Sequence, residues 1–135
     1  MNSSSFPMNS IALNDLALEA LITLSEYAQV LEKLSIRCSD LLDSPEFYPQ
    51  FLKLIDGLQT FSDSVIQIQS VMNFKPSSTG QRLESDLILI LNDLKGCQEA
   101  QDLQNSRAIL KEHLPQNLLY WRTTGIPAMQ SLREC

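Results

Sequence analysis

The stretch FLKLIDGLQTFSDSVIQIQSVM at residues 51–72 decides the fold. Its apolar residues recur at alternating steps of three and four: Phe51, Leu54, Leu58, Phe61, Val65, Ile68 and Met72, preceded by Phe47. This period places all of them on one side of an α-helix. Gly57 lies inside the row and costs up to ~1 kcal/mol relative to Ala, unless it permits a close contact between helices. The stretch therefore predicts a long amphipathic helix that starts at Pro45 or Pro49.

A longer helix is predicted upstream, from the N-cap residue Ser10 to about Leu42. Its heptad row is Leu13, Leu16, Ala20, Leu24, Tyr27, Leu31, Leu34, Cys38 and Leu41. Further apolar residues, Leu18, Ile22 and Val30 among them, widen the face beyond a simple seam. Two interpretations of this broad face stay open: it is deep core, or it binds a partner helix.

Two more helices are predicted downstream. Ser78 and Gln81 match a capping box at the start of the third, whose row is Leu83, Leu87, Ile90, Leu94 and Cys97, widened by Leu91. The polar stretch from Gln98 to Asn105 predicts a break. The fourth row is Leu103, Arg107, Leu110, Leu114, Leu118 and Trp121. Pro115 is expected to kink this helix, and the sequence from Gly125 to Pro127 is expected to end its regular pattern.

Together these rows predict an all-α fold, an antiparallel four-helix bundle with long helices and a kinked fourth helix. Residues 1–9 are expected to be a flexible lead-in, and residues 10–135 a single bundle domain. A chain of 135 residues is long enough to bury one core without disulfides or metal.

The charge distribution limits the partners. The net charge is −6, and residues 1–74 hold nine acidic residues against three basic ones, whereas residues 75–135 hold seven of each. An acidic chain is a poor ligand for nucleic acid or an anionic membrane surface. No stretch approaches ~20 uncharged apolar residues, and the first fourteen residues lack the features of a signal peptide, so a cytoplasmic location is expected.

The sequence lacks the residue patterns of the common active sites. His113 is the single histidine and Leu110 stands three residues before it, so the Glu-x-x-His pairs of di-iron bundles are missing. Cys38, Cys97 and Cys135 form no CxxC pair, and we expect Cys38 and Cys97 to pack as small apolar residues. The carboxylates Asp86, Asp93, Glu99 and Asp102 have the spacing of a solvated helical face. We expect no enzyme activity, cofactor, metal or small-molecule substrate.

A second candidate interaction stretch is Leu118-Leu119-Tyr120-Trp121-Arg122, which holds the single Trp. Trp, Tyr and Arg are enriched in interface hot spots, so Leu118, Tyr120 and Trp121 join Leu18, Ile22 and Val30 as candidate partner-binding residues. Because Trp121 lies on the apolar row, the alternative is that it anchors the core.

Three segments carry a resemblance to a family of small bacterial helical proteins: FLKLIDGLQTFSDSV at 51–65, LILILNDLKGCQEAQD at 87–102 and ILKEHLPQNLLYW at 109–121. Leu110, Pro115, Leu118 and Trp121 are its fixed points. In size, acidity and helical layout the chain is also similar to the FliT/FlgN-type chaperones of flagellar and type III export. That resemblance implies a protein that holds a helical terminus of an exported protein.

Three functional hypotheses follow. The first is a non-enzymatic, export-chaperone-like module that binds an amphipathic partner helix. The second is a structural homo-oligomer assembled through the apolar face of the first helix. The third is a regulatory subunit.

Overall fold

The fold is a bundle of four helices, seen in a computed structural model that describes the backbone of residues 5–131 and the side chains of residues 15–131. The helices are α1 (Ser5–Asp40), α2 (Phe47–Met72), α3 (Ser78–Glu99) and α4 (residues 103–130). α1 and α3 each pack against both α2 and α4. Neighbours run antiparallel: Gln98 near the end of α3 donates a 2.8 Å hydrogen bond to Tyr48 near the start of α2. The predicted all-α bundle is confirmed.

Helix α2 follows its sequence row closely. Its buried apolar side chains are Phe47, Phe51, Leu54, Leu58, Phe61, Val65 and Ile68. The helix begins at Phe47, between the two predicted starts, because Pro49 then falls in the first turn, where a missing N–H leaves no bond unmade. At the other end, Asn73 adopts a left-handed conformation (φ 54°) and the Phe74 N–H donates to the Gln69 carbonyl at 2.8 Å. This arrangement stops the helix.

Helix α1 begins earlier than predicted. Residues 5–9 are helical, so the predicted start at Ser10 is wrong, and residues 1–4 lie outside the described part of the chain. Pro7 does not prevent this start because it falls in the first turn.

The buried row of α1 is also displaced by one position from the predicted row over much of its length. Leu16 is 60% exposed, and Ala20, Tyr27, Leu34 and Leu41 are half-buried. The residues that face the core are Ala17, Leu21, Leu24, Ala28, Leu31, Ser35, Cys38 and Leu42. Ala17, Ala28 and Ser35 are small or polar, so the neighbouring positions give the stronger apolar pattern in the sequence.

Gly57 brings α1 and α2 together, as the sequence allowed. A Cβ at this position would lie 2.6 Å from Leu31 Cδ2 and 2.7 Å from Tyr27 Oη. The two helices therefore approach more closely here than a larger residue would permit.

The N-cap of helix α3 is one residue before the predicted one. Ser77, not Ser78, accepts the Gly80 N–H at 3.3 Å, and Gln81 Nε2 reaches the Pro76 carbonyl at 3.3 Å. The buried residues are Leu83, Leu87, Leu91 and Leu94, while the predicted Ile90 and Cys97 are half-buried. The expected break is present, because Gln101 has a positive φ of 56° and α4 begins at Leu103.

Helix α4 alternates between α and π geometry. Its segments are Leu103–Ala108 (α), Ile109–His113 (π), Leu114–Tyr120 (α), Trp121–Gly125 (π) and Ile126–Gln130 (α). Each π segment ends two residues before a proline, Pro115 or Pro127. A proline ring crowds the carbonyl four residues earlier, and a wider turn relieves that clash. The regular pattern was expected to end between Gly125 and Pro127. The α geometry is interrupted at Trp121–Gly125, but the helix then continues through Pro127 to Gln130.

The wide turns also keep α4 facing the core. In a regular α-helix, Leu110 and Ile126 would point about 160° apart, at ~100° for each residue. Both are nevertheless buried, as are Leu114, Leu118, Trp121 and Met129. Each π turn takes up about one extra residue and so turns the following segment back toward the bundle.

Ser35 completes the hydrogen bonding of the first wide turn. The Leu114 N–H donates to the Ile109 carbonyl, five residues earlier. In the same pattern the residue at 115 would donate to the Leu110 carbonyl, but Pro115 has no N–H. The Ser35 hydroxyl, from α1, donates to that carbonyl at 2.5 Å, and both residues are fully buried. A serine in the α1 row is therefore explained by a proline in α4.

An ion pair holds the same two helices together near the second wide turn. Arg122 Nε and Nη2 donate to the two carboxylate oxygens of Glu32, the second at 2.9 Å. A two-pronged pair of this kind fixes orientation as well as contributing energy. This contact raises the pKa of Arg122.

We predict that Ser35→Ala destabilises the fold by about 1–3 kcal/mol, because the Leu110 carbonyl is left buried without a donor. The control is Ser39→Ala, since the Ser39 hydroxyl bonds within its own helix, to Ile36. Urea unfolding followed by circular dichroism measures both. In a Pro115→Ala background the residue at 115 regains an N–H, so the cost of Ser35→Ala is expected to shrink. An equal cost in both backgrounds would contradict this account.

Two glycines are predicted to respond oppositely to alanine. A Cβ at Gly125 would collide with the ring of Trp121 and lie 3.3 Å from Leu83 Cδ1, whereas a Cβ at Gly96 meets no atom within 4 Å. Gly125→Ala should cost about 1–3 kcal/mol through overpacking. Gly96→Ala should stabilise α3 by about 0.5–1 kcal/mol. Thermal and urea unfolding of the two variants test the difference in sign.

Candidate functional site

An open apolar groove runs between the N-terminal half of α1 and the C-terminal half of α2. Its volume is about 590 Å³. The walls are formed by Leu16, Ala17, Ala20, Thr23, Leu24 and Tyr27 of α1, and by Thr60, Ser64, Gln67, Ile68 and Val71 of α2. None of these residues is charged. From Leu16 to Tyr27 the groove is about 17 Å long, which is three helical turns.

Small side chains create this groove. Ala17, Ala20 and Thr23 on α1 stand opposite Thr60 and Ser64 on α2. Side chains of this size do not fill the space between two packed helices, so a trough remains along the contact. Close to Gly57 the helices approach and Tyr27 fills the space, which closes the groove at that end.

Apolar side chains are exposed to solvent at the open end of the groove. Leu16 is 60% exposed and Val71 is 45% exposed. Exposed apolar side chains are ordinary when they are scattered, but side chains that line one concave surface are typical of interaction sites.

Carboxylates follow the outer edge of both walls. Glu19 lies one turn from Leu16 and Thr23, and Glu26 lies one turn beyond Thr23. On α2, Asp56 and Asp63 are each one turn from Thr60. All four are exposed, and Asp63 accepts a 3.1 Å hydrogen bond from Gln59. We call these four residues the acidic rim.

The predicted contact residues of α1 do not form one surface. Ile22 and Val30 are each 56% exposed and Leu18 is half-buried, so the deep-core interpretation is wrong for Ile22 and Val30. Val30 lies two heptads after Leu16 and so on the groove side of α1. Leu18 lies two heptads before Glu32 and so on the side that faces α4. The broad face of the sequence is split between two sides of the helix.

The second predicted stretch is divided between core and surface. Leu118 and Trp121 are fully buried, which corrects their assignment as partner contacts, and Trp121 packs edge-on against Phe61 with ring centroids 5.9 Å apart. The core interpretation of Trp121 is confirmed. Tyr120 is 48% exposed and lines a smaller depression of about 300 Å³ between α3 and α4, beside Asp86 and His113.

The sequence pattern did not predict most of the groove. Leu16, Ala20, Leu24 and Tyr27 belong to the predicted α1 row, but the α2 wall had no signal of its own, because Thr60, Ser64 and Gln67 look like ordinary solvated positions. The usable signal is the pairing of small residues on two neighbouring antiparallel helices.

The chemistry of the described residues is sparse. Within residues 15–131, His, Cys, Asp and Glu side chains do not come together in groups of three that could hold a metal ion. Burial, with the nearby carboxylates of Asp102 and Asp93, raises the pKa of Cys97, which is the reverse of what an activated thiol needs. None of the helices described is both long and apolar enough to cross a bilayer.

Cys38 is predicted to resist alkylation in the native state. The side chain is fully buried, and burial raises its pKa to about 11, so the thiolate is scarce at pH 8. Iodoacetamide labelling at pH 8, followed by peptide mass spectrometry, should leave Cys38 unmodified in folded protein and modify it fully in urea. Half-buried Cys97 serves as the internal comparison, and faster labelling of Cys38 than of Cys97 would contradict the packing described.

No protein-family model, curated protein or solved structure matches the chain. The resemblance to FliT/FlgN-type chaperones therefore stays a prediction.

Proposed function

We propose that this protein is a non-enzymatic interaction module that binds an amphipathic helix of a partner protein in the groove between α1 and α2. The observation that carries the proposal is the groove itself: it is apolar, open, three helical turns long and lined by small residues. A helix that places apolar side chains on one side meets these requirements, because anchors at i, i+3 and i+7 reach along such a trough.

An export-chaperone-like role in the cytoplasm is the specific form of this proposal. Such a protein shields an apolar helix of its client until the client is handed on. The free thiols of Cys38 and Cys97 suit a reducing compartment.

A homo-oligomer is the second candidate. Ile22, Val30 and Ile36 leave apolar surface exposed on α1, at 56%, 56% and 43%. A second copy could cover part of that surface.

Site-specific crosslinking in the native cell distinguishes these candidates. A photoreactive benzoylphenylalanine replaces Thr23 inside the groove or, as the control, Lys33 on the exposed side of the same helix. We expect Thr23 to crosslink to an amphipathic segment of another protein, and Lys33 not to. A second substitution, Ala20→Glu, puts a charge in the groove and should abolish that crosslink while the circular dichroism spectrum stays helical.

Two results would count against the partner-helix proposal. Equal crosslinking from both positions would show that the groove has no special role. Crosslinks between two copies of this chain, together with a dimer in sedimentation, would favour the homo-oligomer.

A further inference from the structure

We infer that the helix bound in the groove carries Lys or Arg on both sides of its apolar stripe, so that charge selects the partner. This inference rests on the proposed function and adds the chemistry of the partner. It follows from the arrangement of the acidic rim.

The acidic rim has the same spacing on both walls. Glu19 and Glu26 are seven residues apart on α1, and Asp56 and Asp63 are seven residues apart on α2. Seven residues of α-helix span about 10 Å and return to nearly the same side. Basic residues seven positions apart on each side of a bound helix would therefore face a carboxylate on each wall, as the flanking charges of a coiled coil do.

These carboxylates have no cationic partner within the described residues. The ion pair found there joins Glu32 to Arg122, on the other side of α1. On α2 the nearest basic residue, Lys53, lies one turn before Asp56, at the closed end of the groove. On α1, Lys33 lies two turns beyond Glu26. Lys95 of α3 lies near the α2 wall, because it donates a 3.5 Å hydrogen bond to Gln59, the residue that donates to Asp63. Among the described side chains, neither Lys95 nor the other two lysines forms an ion pair with a carboxylate of the acidic rim.

Charge complementarity also decides between possible occupants. A neutral or acidic helix would leave four carboxylates unpaired or repelled along its length. A second copy of this chain offers no better match, because its α1 carries five acidic and two basic residues. A basic amphipathic helix satisfies the apolar floor and both walls together, and the negative field would speed its approach.

The experiment uses two 18-residue amphipathic peptides with the same leucine stripe. One has Lys at the flanking positions and the other has Glu. Fluorescence anisotropy measures their binding to the full chain at low and high salt. We expect the Lys peptide to bind about tenfold more tightly at low salt, since several exposed pairs of modest strength add to roughly that ratio. High salt should reduce the preference.

Matched charge reversals locate the effect. The variant Glu19→Lys/Asp63→Lys changes the rim, and the control Asp93→Lys/Glu112→Lys makes the same change in net charge on α3 and α4, at exposed positions. The rim variant should lose the preference for the Lys peptide, and the control should keep it. Circular dichroism verifies that both variants are folded.

The outcomes separate the two proposals. If both peptides bind wild type equally, or if both variants keep the preference, the charge inference is overturned and the groove proposal stands. If neither peptide binds wild type, the groove proposal fails and the inference fails with it.

Discussion

The missing N–H of Pro115 is the constraint on which the bundle depends. It leaves the Leu110 carbonyl without a donor inside α4, and Ser35 of α1 supplies one. Because that bond is buried, it fixes which side of α1 faces α4, and the pair between Glu32 and Arg122 repeats the constraint at the second wide turn. With α1 oriented in this way, Leu16, Ala20 and Tyr27 turn toward α2 and line the groove. The position of the groove is thus linked to how α4 accommodates its prolines.

Much of the fold was predictable from the sequence, and the exceptions have physical causes. α2 was predicted correctly because its buried positions hold large apolar residues with few competitors. α1 was predicted one position out of register because Ala17, Ala28 and Ser35 are buried for reasons of size and hydrogen bonding, which an apolar pattern does not register. The continuation of α4 through Pro127 was not predicted, because Gly125 and Pro127 break a regular α-helix but fit a wider turn that places Gly125 against Trp121.

The candidate site was harder to predict than the fold, because the groove forms where side chains are too small to fill the space between two helices. The groove exists where Ala20, Thr23, Thr60 and Ser64 are too small to meet across two helices, and no single residue among them has unusual chemistry. The sequence did show that acidic residues outnumber basic ones in the first half of the chain. It did not show that four of them stand in two matched pairs along one trough, since that depends on which sides of α1 and α2 face each other.

Trp121 has a practical consequence that follows from its place in the core. It is the single tryptophan, it is 1% exposed, and its indole N–H has no hydrogen-bond partner among the described residues. An indole in such surroundings fluoresces at short wavelength and shifts to longer wavelength when water reaches it. Trp121 does not line the groove between α1 and α2, so its emission reports on opening of the core rather than on occupancy of that surface. The chain therefore contains an intrinsic optical probe that distinguishes a variant that has lost its partner from one that has lost its fold.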